Sequence, residues 1–212
     1  MNRRLILFLS LAVIIALLFW YSSILQGYFY VIADLLKELA VQNPLLAIFV
    51  FVLTSSLAAL VSPLTNIPLV PIATLIWGPI PTIIFLLFGW FIGDVISYLI
   101  GRYLGYGVVS YFVSREKLDD WSSMVKKRAT FSTALLLRIA LPAELGYAFG
   151  IIRYPIGLYM IITFLAELPF AVISTYASEA VLFGNALKFF SLMGILFVVI
   201  IVAFRTTHSD RV

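Results

Sequence analysis

Pro63-Leu64-Thr65-Asn66-Ile67-Pro68-Leu69-Val70-Pro71 and, after five more residues, Trp77-Gly78-Pro79-Ile80-Pro81 form the stretch on which the fold turns. Five prolines fall within these 19 residues, and the pieces between them are apolar but too short to cross a bilayer. Proline removes a backbone donor and clashes with the preceding turn, so one continuous helix is excluded. Broken backbone inside a membrane is tolerated only where protein covers it or where it lines a wet cavity. The stretch therefore reads as a re-entrant hairpin.

The composition around it agrees. Of 212 residues, 63% are hydrophobic and 11% charged, against about 25% charged in a soluble domain. Such a chain cannot wet the surface of a globule, so a soluble enzyme, a disordered chain and a fibrous repeat are excluded. There is no cysteine, and the single histidine is His208 in the tail. Thiol chemistry, cysteine-based metal sites and an intramembrane Ser-His-Asp triad are thereby excluded. No catalytic residue, metal or cofactor is expected. The net charge of +4 points to membrane orientation and anionic lipid, with no nucleic-acid partner.

Outward from the hairpin, Arg3-Arg4 precede an uncharged run from Leu5 to Leu25, read as an uncleaved first span. From Tyr28 to Val41, apolar Phe29, Ile32, Leu35, Leu36 and Leu39 face away from Asp34, Lys37 and Glu38, the pattern of an interfacial helix or of a loop helix facing solvent. Pro44 opens a second apolar run, and Pro81 to Tyr103 is long enough to span. Between Val108 and Arg128 lie eight of the chain's charges, with Leu118, Trp121 and Val125 at helical spacing among them. This segment reads as an amphipathic connector at the interface. Phe131 to Phe149 is again short and broken, at Arg138, Pro142-Ala143-Glu144 and Gly146. Ile156 to Ala177 is a long span containing Glu167 and Pro169, and a last span runs from about Phe189 to Phe204.

The two broken regions lead into matching spans. Pro81 stands 13 residues before Asp94, and Pro155 stands 12 before Glu167. Two Pro/Gly-broken segments in corresponding positions point to an inverted repeat with a site near the midplane. The expected fold is an all-α polytopic membrane protein, an inverted repeat of two re-entrant helical hairpins plus about five spanning helices. Residues 1–43 would form the N-terminal span and interfacial helix. Residues 44–185 would form the membrane domain, with a first repeat at about 63–105, a connector at 106–129 and a second repeat at about 130–177. Residues 186–212 would form the last span and tail. With the basic connector inside, Arg153, Arg205 and Arg211 also fall inside, whereas Arg3-Arg4 fall outside, against the same rule.

The string Gly89-x-x-x-Gly93-Asp94-x-x-x-Tyr98-x-x-Gly101-Arg102-x-x-Gly105 resembles the DedA, or SNARE-associated Golgi protein, family with its VTT domain. Leu137-Arg138-x-x-x-Pro142 through Gly150-x-x-Arg153 is similar to that family's second hairpin. The likeness covers roughly Asn66 to Tyr176 and is closest to the yeast-Tvp-like branch. It implies facing re-entrant hairpins and the movement of phospholipid or polyprenyl phosphate between leaflets. The chain departs from the bacterial branch: Asn66 to Ile80 carries no carboxylate, and Arg138 stands alone between Phe131 and Ile152.

Charges at mid-membrane are costly and are read as functional by default. Asp94 can carry a proton, touch a cationic head group, or simply pair with Arg138. Arg138 can hold a lipid phosphate, since guanidinium matches its geometry, or can pair with Glu144 or Asp94. Glu144 can join the pathway or cap the next helix. Glu167 is the repeat-mate of Asp94. Arg102 and Arg153 stand near span ends, as interface anchors or head-group contacts. Gly89, Gly93, Gly101 and Gly105 read as packing positions. The expected activity is that of a lipid translocase or scramblase. A proton- or ion-coupled solute transporter and a membrane-biogenesis scaffold are the alternatives, and an enzyme is not expected. Membrane lipids are the expected partners, an oligomer is left open, and the sparse loops point to a prokaryotic inner membrane.

Overall fold

The computed structural model describes residues 31–61, 66–111, 113–127 and 130–209. The expected first span, the Arg3-Arg4 pair and Pro63-Leu64 lie outside them. Among the described residues the chain is helical, without strands. The helices are α1 (helical residues 31–42), α2 (Pro44–Leu60), α3 (Leu69–Trp77), α4 (Pro79–Tyr103), α5 (Gly105–Val109), α6 (Arg115–Lys127), α7 (Phe131–Ala140), α8 (Leu145–Ile151), α9 (Ile156–Leu182) and α10 (Ala186–Ser209).

Local chemistry sets the breaks. Asn43 caps α2, its side-chain oxygen accepting from the Leu46 N–H at 3.2 Å, and Pro44 follows in the first turn, where a missing donor costs nothing. Gly78 takes φ +81 between α3 and α4, a conformation open to glycine, and Pro79 and Pro81 then occupy the first turn of α4. Leu141 is extended, with φ −114 and ψ 157, as the following Pro142 requires. That ends α7. Pro169 lies inside α9 without ending it.

Among the described residues, three helices are long and apolar enough to cross a membrane: Pro79–Tyr103, Ile156–Leu182 and, within α10, Ala186–Ala203. The nine residues of α3 and ten of α7 rise only about 15 Å, half a hydrocarbon core.

The element order falls into two similar runs, α2-α3-α4 and α7-α8-α9. The short helix of each run packs on the long helix of the other, α3 on α9 and α8 on α4, and the long helices pack together. Phe51, Val70 and Leu86 share a buried cluster with Ala171 from the C-terminal half of α9. Tyr98 near the end of α4 shares another with Tyr159 and Ile162 from the beginning of α9. The two long helices therefore run antiparallel.

Glycines allow the closest crossings. A Cβ on Gly89 would strike Ser55 and the Val52 carbonyl, and one on Gly93 would strike Ser56 and Ala59, all on α2. On the far side of α4, Gly101 lies against the Tyr147 backbone, and Gly150 of α8 lies against the Tyr98 carbonyl and Gly101. Gly105 is a correction to the expected packing role. Nothing stands within 4 Å of its would-be Cβ; it is the φ +72 residue that turns the chain from α4 into α5.

Two amphipathic segments also settle differently from their sequence pattern. In α1 the side facing protein is Ala33, Leu36, Leu39 and Ala40, while Ile32 and Leu35 are exposed. In α6, Leu118, Trp121 and Val125 are buried in the main core with Tyr147 and Phe149 of α8. The connector is thus a structural wall of the protein whose polar side alone is free.

Candidate functional site

Arg138 occupies the last turn of α7, just before the Pro142 break, and is 6% exposed. Its Nη2 donates to Asp94 Oδ2 of α4 and, at 3.0 Å, to Glu167 Oε1 of α9. Asp94 is fully buried and Glu167 is 7% exposed. The carboxylates at matching places in the two runs therefore meet on one guanidinium. Ionised together they leave one uncompensated negative charge in an apolar interior, where removing the central cation would be strongly destabilising.

Hydroxyls fix the surrounding backbone. Ser97 Oγ and Tyr159 OH both donate to the Asp94 carbonyl, at 2.8 and 3.1 Å. Tyr159 stacks on Tyr98 at 4.8 Å between ring centres, and Tyr98 OH donates to the Tyr154 carbonyl. Asp94 is held in a rigid aromatic and hydroxyl setting that ties α4 to α9.

Glu167 and Arg138 differ from Asp94 in what they face. Both line a cavity of about 380 Å³ whose wall also includes Asn66, Trp90, Phe170 and Ser174 and is mostly apolar. Asp94 is outside that lining. Arg138 Nε, Glu167 Oε2 and Asp94 Oδ1 are buried without a hydrogen-bond partner. Buried polar atoms are nearly always satisfied, and an exception calls for a functional or ligand-based account.

The remaining sequence candidates separate. Glu144 is 5% exposed at the N-cap of α8, but its side chain makes no capping bond and joins neither the Arg138 ion pairs nor the cavity lining. Arg102 donates to Tyr98 OH at 2.9 Å and lies 6.0 Å from the Tyr98 and Tyr103 rings. Arg153 is exposed, with φ 58. Among the described residues no group of three or more His, Asp or Glu side chains is placed to hold a metal ion.

Sequence reasoning passed over Asn66. It is 3% exposed, donates to Ser55 Oγ at 2.7 Å and accepts from Trp90 Nε1 at 3.3 Å. Its signal was positional: it stands 28 residues before Asp94, as Arg138 stands 29 before Glu167. An amide thus stands, in the first run, at nearly the sequence spacing of the guanidinium in the second.

A family model for the VTT domain matches residues 66–180, more than half of the chain. The chain belongs to the VTT-domain family. No curated protein and no solved structure matches it significantly. The VTT match begins at Asn66 and holds Asp94, Arg138 and Glu167, while α2 and α10 lie outside it and add Ala58, Ala59 and Leu196 to the cavity wall. The membrane association of VTT proteins and the three long apolar helices make this an integral membrane protein.

Proposed function

We propose that this VTT protein moves phosphate-bearing lipids between leaflets, with Arg138 as the head-group ligand and Glu167 as its exchangeable partner. The observation that carries the reading is one buried arginine, shared by two repeat-related carboxylates, at the wall of a mostly apolar cavity. We read the α2–α3 and α7–α8 pairs as the re-entrant hairpins of an inverted repeat, and the likeness of the Gly-Asp-Tyr-Gly-Arg string to the Tvp-like branch supports the same reading. A prokaryotic inner membrane is the setting we favour.

The chemistry follows from charge. A phosphate entering beside Arg138 competes with Glu167 for the guanidinium. It brings negative charge to a cluster that already carries an excess of it, so Glu167 must give up its bond to Arg138 as the phosphate enters. Asp94, enclosed by Tyr98 and Tyr159, keeps Arg138 oriented while Glu167 lets go. Acyl chains meet a mostly apolar wall, which supports lipid over a polar solute. Rocking of one run against the other about the α4–α9 contact would change which leaflet the cavity serves.

The test is reconstitution into vesicles holding a head-group-labelled phospholipid in both leaflets, with an impermeant quencher added outside. Transfer is expected to expose nearly all the label. Protection of half the label, as in protein-free vesicles, would overturn the reading. Protection together with protein-dependent uptake of a small solute would put solute transport in its place.

A further inference from the structure

A second crevice lies where α6 meets the turn between α8 and α9. Its volume is about 580 Å³, and its lining includes Ser122, Lys126, Arg153 and Tyr154. The lining holds two cations and no carboxylate. Among the described residues neither cation has an ion pair or a side-chain hydrogen bond. The hydroxyls of Ser122 and Tyr154 are both buried without a partner, and Tyr154 is 5% exposed. Two unpaired cations and two unsatisfied hydroxyl donors in one crevice are the complement of a phosphate.

The backbone adds an independent observation. Arg153 has φ 58 and is, among the described residues, the non-glycine residue in the left-handed region. The Tyr154 N–H bonds back to the Phe149 carbonyl at 3.0 Å, the helix-ending pattern in which this position is usually glycine. An arginine held where glycine fits better is strain of the kind found at ligand sites. The location suits a lipid phosphate: α9 begins at Ile156, immediately after the crevice residue Pro155, so the crevice lies at the end of a spanning helix, where head groups sit.

We propose that this crevice binds a phosphate-bearing anion, held by Lys126 and Arg153 and by the hydroxyls of Ser122 and Tyr154, separately from the Arg138 cavity. The core side of α6, Leu118 and Val125, gives this site a fixed wall.

The test uses the full chain in neutral detergent, titrated calorimetrically with dihexanoyl phosphatidic acid, dihexanoyl phosphatidylcholine and inorganic phosphate. The comparison is with Arg153→Gly, Lys126→Gln and the double variant. Glycine suits φ 58 and Lys126 is exposed, so thermal melts of the variants are expected to match or exceed the parent. Saturable binding of phosphatidic acid, weakened at least tenfold in the double variant, is the expected result. Loss confined to phosphatidic acid identifies a lipid head group as the ligand; equal loss for inorganic phosphate identifies a free phosphate, and both support the site. Absence of binding to either phosphate probe, or binding that the double variant leaves unchanged, overturns it.

Discussion

The two runs of the molecule contribute one carboxylate each to the same arginine, yet they use them differently. Asp94 in the first run is sealed between α4 and α9, beneath the stacked Tyr98 and Tyr159. Glu167 in the second lies on the cavity wall with Asn66 and Trp90. Two runs that are alike in their helices thus differ in the setting of their acids: one is enclosed and the other faces the cavity. The segment before each long helix differs as well, holding Arg138 in the second run and Asn66 in the first.

Removing what the two acids share should have the largest effect. Arg138→Gln leaves both carboxylates buried and unpaired, at a cost of about 3–5 kcal/mol. In thermal melts of the detergent-purified protein that corresponds to a drop on the order of 10 °C. A melt unchanged from the parent would mean that the three groups do not form a coupled buried cluster.

The acids themselves should separate next. Asp94→Asn, inside the sealed setting, is expected to cost about 2–3 kcal/mol, and Glu167→Gln, at the cavity wall, about 1 kcal/mol. Equal losses in the same melts would erase the distinction between anchor and exchangeable partner.

Glycine substitutions sharpen the contrast between the two faces of α4. Gly150→Ala drives a methyl into the Tyr98 carbonyl and Gly101, and Gly93→Ala drives one into α2; each should cost about 1–3 kcal/mol. Gly105→Ala meets open space and pays only for its positive φ, about 1 kcal/mol. Melting temperatures that rank Gly105→Ala below Gly150→Ala would reverse the roles assigned to them.

Much of this organisation is legible in the sequence because it rests on chain-local chemistry. Pro68, Pro79 and Pro142 mark the breaks, apolar length marks α4, α9 and α10, and the 13- and 12-residue spacings align Asp94 with Glu167. Arg138 stood out because an arginine between apolar stretches needs a partner. What stayed hidden depends on contacts between distant segments. Gly101-x-x-x-Gly105 looks like one packing motif, but Gly101 packs on the backbone of Tyr147, 46 residues away. Glu144 has the burial of a site residue without its connections. The apolar stripe of α6 is the same whether it meets lipid or protein, and only the position of α8 decides. Asn66, uncharged, gave no sign except its distance from Asp94.

If Glu167 yields Arg138 to a lipid phosphate while Asp94 holds it in place, the exchange is visible in the rate at which head-group-labelled phospholipid becomes accessible in vesicles carrying the parent protein or Glu167→Gln. Transfer is expected to be at least tenfold slower in Glu167→Gln, in protein whose melting temperature stays within a few degrees of the parent. Equal transfer rates in the two proteins would contradict it.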